Sequence, residues 1–491
     1  MMSYTKVIRV PILSVAMTVL AACAMQPPYQ APATATPAQW TGVPGSASGP
    51  PPALAAGEAW WTQLRDPAID ALIAAALQDN PTLEQAAARV DEARAALGVQ
   101  AGQRVPLVTV SASESRQQAL NNIGIGSTLG IQQGSAQGGP NFAWEFDLWG
   151  RIKQSNLEAK KQLDARDADA QAARLSVASQ VAGGVLNLRA CLYSVKVRED
   201  DIASRQTELT LIRQRLAVGN VALVDEAEAD SNLATAVTNR LSQNEQCARY
   251  SNVLVALAGS DIDAVQNLIA QPLPDASSMP PLPPMQLALP AAVLEYHPTI
   301  VSAERDVEAA WADIAVTKAD RLPKVELDAA LGGQWLSVFG TAYKLIVWSV
   351  GPALNGTLYD GGAGSSKVDA ARARYREAQA NLHAKVRSTV QNVQDALAQQ
   401  VSADARLVST QQARQAALVA LRANEARWRV GAISRFDLET SRRQFEASEE
   451  SAIVATRDRC LAWVALIQAT GYGPSLLAAK LDPSHSGIPQ S

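Results

Sequence analysis

Residues 142–150 read Phe-Ala-Trp-Glu-Phe-Asp-Leu-Trp-Gly, and the stretch that follows, 151–216, contains no proline. Phe142, Trp144, Phe146 and Leu148 alternate with Ala143, Glu145 and Asp147. A period of two puts four apolar side chains on one face of a strand and two carboxylates on the other. The proline-free run predicts a single helix roughly 100 Å long at ~1.5 Å per residue. It ends at Val218-Gly219-Asn220, from which a returning helix is expected to reach Gly259. Two long helices joined by a tight turn make an antiparallel coiled hairpin.

The same order of signals occurs twice. Asn80-Pro81 and His297-Pro298 each open a helix, and Arg104-Val105-Pro106 recurs as Arg321-Leu322-Pro323 at the same offset along the chain. Val218-Gly219, Asp225 and Gly259 recur as Val430-Gly431, Asp437 and Gly471, again at one constant offset. A period that approaches half the chain is a duplicated unit, far above the 20–50 residues of a solenoid. Proline suits the first helical position, where its missing N–H would lack a partner. Each copy predicts a helix (81–104; 298–322), two strands and a long hairpin. The first-copy strands are expected at 106–115 and 142–149, with a Gly/Ser/Gln/Asn-rich loop at 116–140 between them. In the second copy Val325, Leu327, Ala329 and Leu331 alternate with Glu326, Asp328 and Ala330, and Ile346, Trp348 and Val350 continue the pattern. The second long helix, 364–429, is also free of proline; Gly183-Gly184 is a weak point in the first.

The predicted fold class is mainly α with a small β part: duplicated helical hairpins plus four transmembrane strands per chain. Aromatics are 5% of the 491 residues, the net charge is −4 and the pI is near 5.6, so nothing suggests a nucleic-acid surface. Lys6 and Arg9 precede an apolar run, Val10 to Ala22, that is too short for a membrane span and fits a secretory signal. Leu20-Ala21-Ala22-Cys23 resembles a lipoprotein lipobox, in which Cys23 would become the acylated first residue; the alternative is a plain signal with an incidental cysteine. With Ala at position 24, the resemblance implies sorting to the outer membrane. The predicted organisation is a signal peptide over 1–22, a Pro/Ala-rich tether over 23–58, repeats over 59–270 and 291–473, a Pro-rich linker at 271–290, and a tail over 474–491.

Four strands cannot close a barrel, since single-chain barrels start at about eight strands. Open edges in lipid would leave backbone groups unpaired at several kcal/mol each. Three chains would supply a closed set, which favours a homotrimer.

The duplicated units, the segments Asp147-Leu148-Trp149-Gly150 and Leu358-Tyr359-Asp360-Gly361-Gly362, and the paired Val-Gly turns together resemble TolC-like outer-membrane factors. The lipobox and Pro-rich N-terminus make the chain look most like the lipoprotein, NodT-type branch. The resemblance implies a trimeric α/β-barrel duct and no enzyme. It also implies a periplasmic adaptor and an inner-membrane pump, RND type, as partners. The turns Val218-Gly219-Asn220 and Val430-Gly431-Ala432 would be the adaptor-contacting tips. Asp225 and Asp437 follow their turn glycines at the same spacing. As residue types they read first as helix caps, Ser434 with Asp437 forming a capping box. The resemblance makes them a periplasmic gate; the family's basic latch position holds Ile433 here, with Arg435 two positions on.

Cys191 and Cys247 lie equally far before and after Gly219, so an antiparallel hairpin would set them side by side. In an oxidising periplasm they form a disulfide or remain two buried thiols; Cys460 has no such counterpart. His297, His383 and His485 lack metal-ligand spacing, His297 reading as a local cap. Residues 361–367 look like a phosphate loop but lack its Gly-Lys-Ser/Thr ending and read as a strand-to-helix bend. No cofactor is expected. The leading reading is a passive efflux duct for drugs or other small molecules. The rivals are the outer-membrane part of a type I protein secretion system and a structural coiled-coil lipoprotein.

Overall fold

The computed structural model describes residues 27–33, 37–41, 59–122, 128–271, 273, 279–283, 290–338 and 341–471. Cys23, the lipidation candidate, and His485 lie outside the described residues. In chain order the elements are a 3-10 turn (Trp60–Leu64), α1 (Pro67–Asp79), α2 (Pro81–Gly102), β1 (Leu107–Asn122), β2 (Thr128–Phe146), α3 (Arg151–Ala217), α4 (Leu223–Ala258) and α5 (Ile262–Ala270). The second half follows as α6 (Pro290–Tyr296), α7 (Pro298–Ala319), β3 (Lys324–Val338), β4 (Thr341–Asn355), α8 (Ala363–Arg429) and α9 (Arg435–Thr470).

The chain divides into two compact units. One holds residues 89–167 and 302–383, with the sheet. Its strands pair antiparallel in the order β1-β2-β3-β4, so β1 and β4 are edges. The strands are far longer than the apolar alternation suggested. Residues 116–122 and 128–140, expected as loop, are paired strand, and Arg116 stands opposite Gly134. Ladder hydrogen bonds use backbone alone, so a Gly/Ser/Gln-rich sequence extends a hairpin without any apolar signal. Leu148, expected on the strand, lies past its end in the turn to α3. There the Asp147 carboxylate accepts from the Ile152 and Lys153 amides (2.9 and 2.8 Å), capping a 67-residue helix. Asp360 does the same for α8, accepting from Gly362 and Gly364 (2.8 and 2.6 Å). The glycine run 361–367 is therefore a helix start. In this unit Tyr29, from the segment read as a tether, sits half-buried beside Glu304, Glu308 and Tyr375, and burial pushes its hydroxyl pKa up.

The other unit holds residues 34–88, 168–301 and 384–491. Its core packs Trp60, Leu64, Ile69, Leu72 and Ile73 against Val181, Val185 and Leu186 of α3, Leu254 of α4, and Trp463 of α9. Asp66 caps α1 by accepting from the Ala68 amide (2.9 Å) and holds Arg189 of α3 in a two-pronged ion pair (both 2.8 Å). Arg189 also donates to the Ile269 carbonyl (3.1 Å), which satisfies a charge that is 6% exposed. Trp40, likewise read as tether, is buried with Val293, Val393, Leu397 and Leu466. The Gly183-Gly184 weak point does not break α3. A Cβ at Gly184 would stand 2.7 Å from the Leu254 Cδ2, so glycine there permits close packing on α4. An apolar window in α3 reaches the hydropathy of a membrane span, but 72% of it is buried inside the protein, as in a core helix.

Asn80 and His297 are matched corners. The Asn80 side chain accepts from the Thr82 amide (2.9 Å), and His297 Nδ1 from the Thr299 amide (3.3 Å). Burial lowers the His297 pKa to about 4, which keeps the ring neutral and able to accept.

Candidate functional site: the membrane band and the hairpin tips

Strand register assigns every side chain to a face. Phe142, Trp144 and Phe146 stand opposite Ala329, Leu327 and Val325. These in turn stand opposite Val350, Pro352 and Leu354, while Leu331 faces Trp348. Val108 and Val110 of β1 join the same face opposite Phe142 and Pro140. The result is one apolar surface across four strands, exposed in the single chain: Ile346 is 83%, Val110 81% and Trp348 74% exposed. The band runs from the Phe146–Val325–Leu354 row to the Ala136–Trp335–Lys344 row. That length of strand is about 34 Å at ~3.4 Å per residue, or about 26 Å along a barrel axis at the usual ~40° tilt. The band matches the ~25 Å apolar belt of outer-membrane barrels. It closes on an indole and a lysine, Trp335 and Lys344, the residue types that settle at a membrane–water interface.

The opposite face is wetter. Asn141 donates to the Ser111 hydroxyl (2.8 Å), and the Ser115 and Ser135 hydroxyls bond at 2.9 Å. Glu326, Asp328 and Gln334 lie on this face of β3, together with apolar side chains that include Leu107 of β1, Leu336 of β3, and Tyr343, Leu345 and Val347 of β4.

At the far ends of the hairpins, both turns are closed by glycine in the left-handed conformation, Gly219 at φ 74° and Gly431 at φ 72°. The Asn220 amide donates to the Arg215 carbonyl (2.9 Å) and the Ala432 amide to the Arg427 carbonyl (2.8 Å). These are the wrap-around bonds that stop a helix at glycine. Val218 and Val430 are left 70% and 80% exposed at the two tips.

The predicted gate residues are occupied by capping. Asp225 accepts from the Ala222 amide (2.8 Å). Asp437 accepts from the Ser434 amide and hydroxyl (3.1 and 2.7 Å), bonds that lower its pKa. Arg435 does not turn to Asp437. It pairs with Glu439 at 2.7 Å and lies over the Trp428 ring, 4.8 Å from its centroid. Glu439 was not singled out from sequence. It is 0% exposed, also pairs with Arg442 (3.2 Å) and accepts from the Ser204 hydroxyl (2.8 Å). Its signal was its spacing, four positions after Arg435 and three before Arg442 on one helix face. Cys191 and Cys247 are joined as a disulfide, their Cα atoms 5.6 Å apart; Cys460 is free and buried. Among the described residues no His, Cys, Asp or Glu cluster could hold a metal ion.

A family model described as outer membrane efflux protein matches residues 72–260 and 289–472, both copies of the duplicated unit. The chain belongs to the outer membrane efflux protein family. It is a protein of the outer membrane with a part in efflux, of NodT type. Outer membrane protein OprJ of Pseudomonas aeruginosa is 27% identical over 464 residues, 94% of this chain and 95% of OprJ. Nodulation protein T of Rhizobium leguminosarum bv. trifolii is 23% identical over 92% of this chain and 95% of its own. A crystal structure of a membrane protein from Pseudomonas aeruginosa superposes with a TM-score of 0.76 at 26% identity, covering 92% of this chain and 98% of that one. The open-state MtrE outer membrane channel of Neisseria gonorrhoeae has the same fold, with a TM-score of 0.74 at 22% identity over 92% of this chain and 99% of MtrE.

Proposed function

We propose that three copies of the chain close a twelve-stranded barrel through the outer membrane and form the passive exit duct of a tripartite pump. A periplasmic adaptor would grip the tips at Val218-Gly219-Asn220 and Val430-Gly431-Ala432. An inner-membrane pump, RND type, would supply the energy, and the duct itself would carry out no chemistry. Drugs or other small molecules are the proposed cargo: relatives include an antibiotic efflux pump outer membrane protein and a pyoverdine export outer membrane protein.

The observation that carries this reading is the apolar band, one face of a four-stranded sheet with two unpaired edges. A face of that height is stable in lipid, and edges in lipid need a partner strand. The N-terminus supports lipidation at Cys23. From Cys23 to Tyr29 the chain can reach at most about 20 Å at ~3.4 Å per residue. Tyr29 itself sits beside Glu304 and Glu308, on the helix that leads into β3. The gate at Asp225, Asp437 and Arg435 is proposed on position, at the first turns after each tip. Its carboxylates would line the axis while capping their helices.

Detergent-solubilised protein is expected to be a trimer by native mass spectrometry and to conduct ions across planar bilayers. A stable, non-conducting monomer with intact strands would overturn the proposal.

A further inference from the structure

Helices α3 and α9, one from each hairpin, meet along residues 198–208 and 439–450. Arg198 donates to Glu450 (3.0 Å), the Ser204 hydroxyl to Glu439 (2.8 Å) and Arg443 to Glu208 (2.7 Å). Every one of these contacts joins a donor to a carboxylate. Glu446, in the middle of the seam, breaks the pattern. It is 6% exposed, and its Oε2 is buried with no hydrogen-bond partner among the described residues. The charged groups facing it are Asp201 and Asp200 from α3, and Arg442 and Glu439 from its own helix. The cations there are already engaged: Arg205 holds Asp201 at 2.9 Å, and Arg442 holds Glu439 at 3.2 Å. A buried carboxylate whose neighbouring cations are taken, with three acids around it, is neutral or strongly repelled.

We propose that Glu446 makes the α3–α9 seam a proton-operated clasp: protonated, it lets the two hairpins close on each other, and its deprotonation sets a bare carboxylate against Asp200 and Asp201 and spreads them. Burial, then Asp201 and Asp200, raise its pKa from 4.5 to about 7. The native state therefore binds this proton more tightly than the unfolded chain does. The stabilisation is full below the ordinary carboxyl value and fades as pH rises through about 7. The clasp is closed in acid and loosened in mild alkali, across the range a periplasm meets. Its effect on transport rests on the duct reading; the motion of the seam does not.

The test uses the full-length trimer, diluted with unlabelled chain, carrying spin labels at Lys196→Cys and Ala447→Cys, both exposed positions flanking the seam. The separation is expected to lengthen between about pH 5.5 and about pH 8.5 with a midpoint near pH 7. In Glu446→Gln, which is neutral at every pH and nearly the same shape, it should stay short throughout. A separation that ignores pH in the parent protein, or one that moves equally in Glu446→Gln, would overturn the clasp. Bilayer conductance separates the two proposals. A moving seam in a chain that never conducts supports the clasp and counts against the duct. A conducting channel whose seam is fixed supports the duct and removes the clasp.

Discussion

Where hairpin α3–α4 carries a disulfide, its duplicate α8–α9 carries an ion pair, one of several between its two helices. At the offset that carries Gly219 to Gly431, Cys191 and Cys247 have their counterparts at Ala403 and Arg459. There Arg459 donates to Asp404 at 2.6 Å, both side chains more than a third exposed. The turns differ as well. Ser434 caps α9 through its hydroxyl, whereas Ala222 at the start of α4 offers no side-chain oxygen and depends on Asp225. Helix length is the same in both copies, 67 residues out and 36 back. Duplication thus kept the backbone pattern, which proline placement and turn glycines dictate, while the fastenings diverged. A covalent tie keeps its hold when water enters; an exposed ion pair is screened by salt. The first hairpin is therefore expected to be the stiffer of the two.

The most forceful way to break this comparison is to make the hairpins alike. Cys247→Ser removes a link that closes a 56-residue span and should cost about 2–4 kcal/mol. Hydrogen exchange should then rise along α4 and stay unchanged along α9; equal loss in both would mean that the disulfide holds the whole unit. A smaller effect belongs to the caps. Ser434→Ala should weaken the start of α9 by about 1 kcal/mol, and Ala222→Ser should strengthen α4 by a similar amount. Thermal melts of both variants would check this, and same-sign shifts would refute the asymmetry. The smallest expected change is Arg459→Ala, below about 1 kcal/mol and vanishing at high salt. A loss matching that of Cys247→Ser would show the second hairpin to be no looser than the first.

What the sequence made legible were periods and punctuation. The Asn80-Pro81 and His297-Pro298 corners, the long proline-free helices and the Val-Gly turns were readable because each depends on local backbone chemistry. The shared face of Phe142, Trp144, Val325 and Leu327 was readable because alternation fixes side. Strand length was not. Residues 116–122 and 128–135 continue past the apolar band, and a sequence of Gly, Ser and Gln carries no hydrophobic period, so their pairing left no mark in composition. Pairings across the fold were also hidden. Arg189 meets Asp66, 123 residues away, and Ser204 meets Glu439, 235 away. The seam around Glu446 is invisible for the same reason, since one glutamate in a charged helix reads as solvated surface. Asp437 was legible as a cap, and the structure gives it that bond; a role in gating rests on its position beside the tip.

The unpaired edges at β1 and β4 bear on genetics. In a closed ring of three, each chain completes its neighbours, so a copy with a damaged edge spoils every ring it enters. With half of the chains defective and random mixing, intact rings fall to about one in eight. A substitution on β1 or β4 that leaves the chain able to join would therefore act dominantly over a normal copy in the same cell. One that prevents the chain from joining at all would be recessive. The severity of an allele would follow from whether its product still reaches the ring.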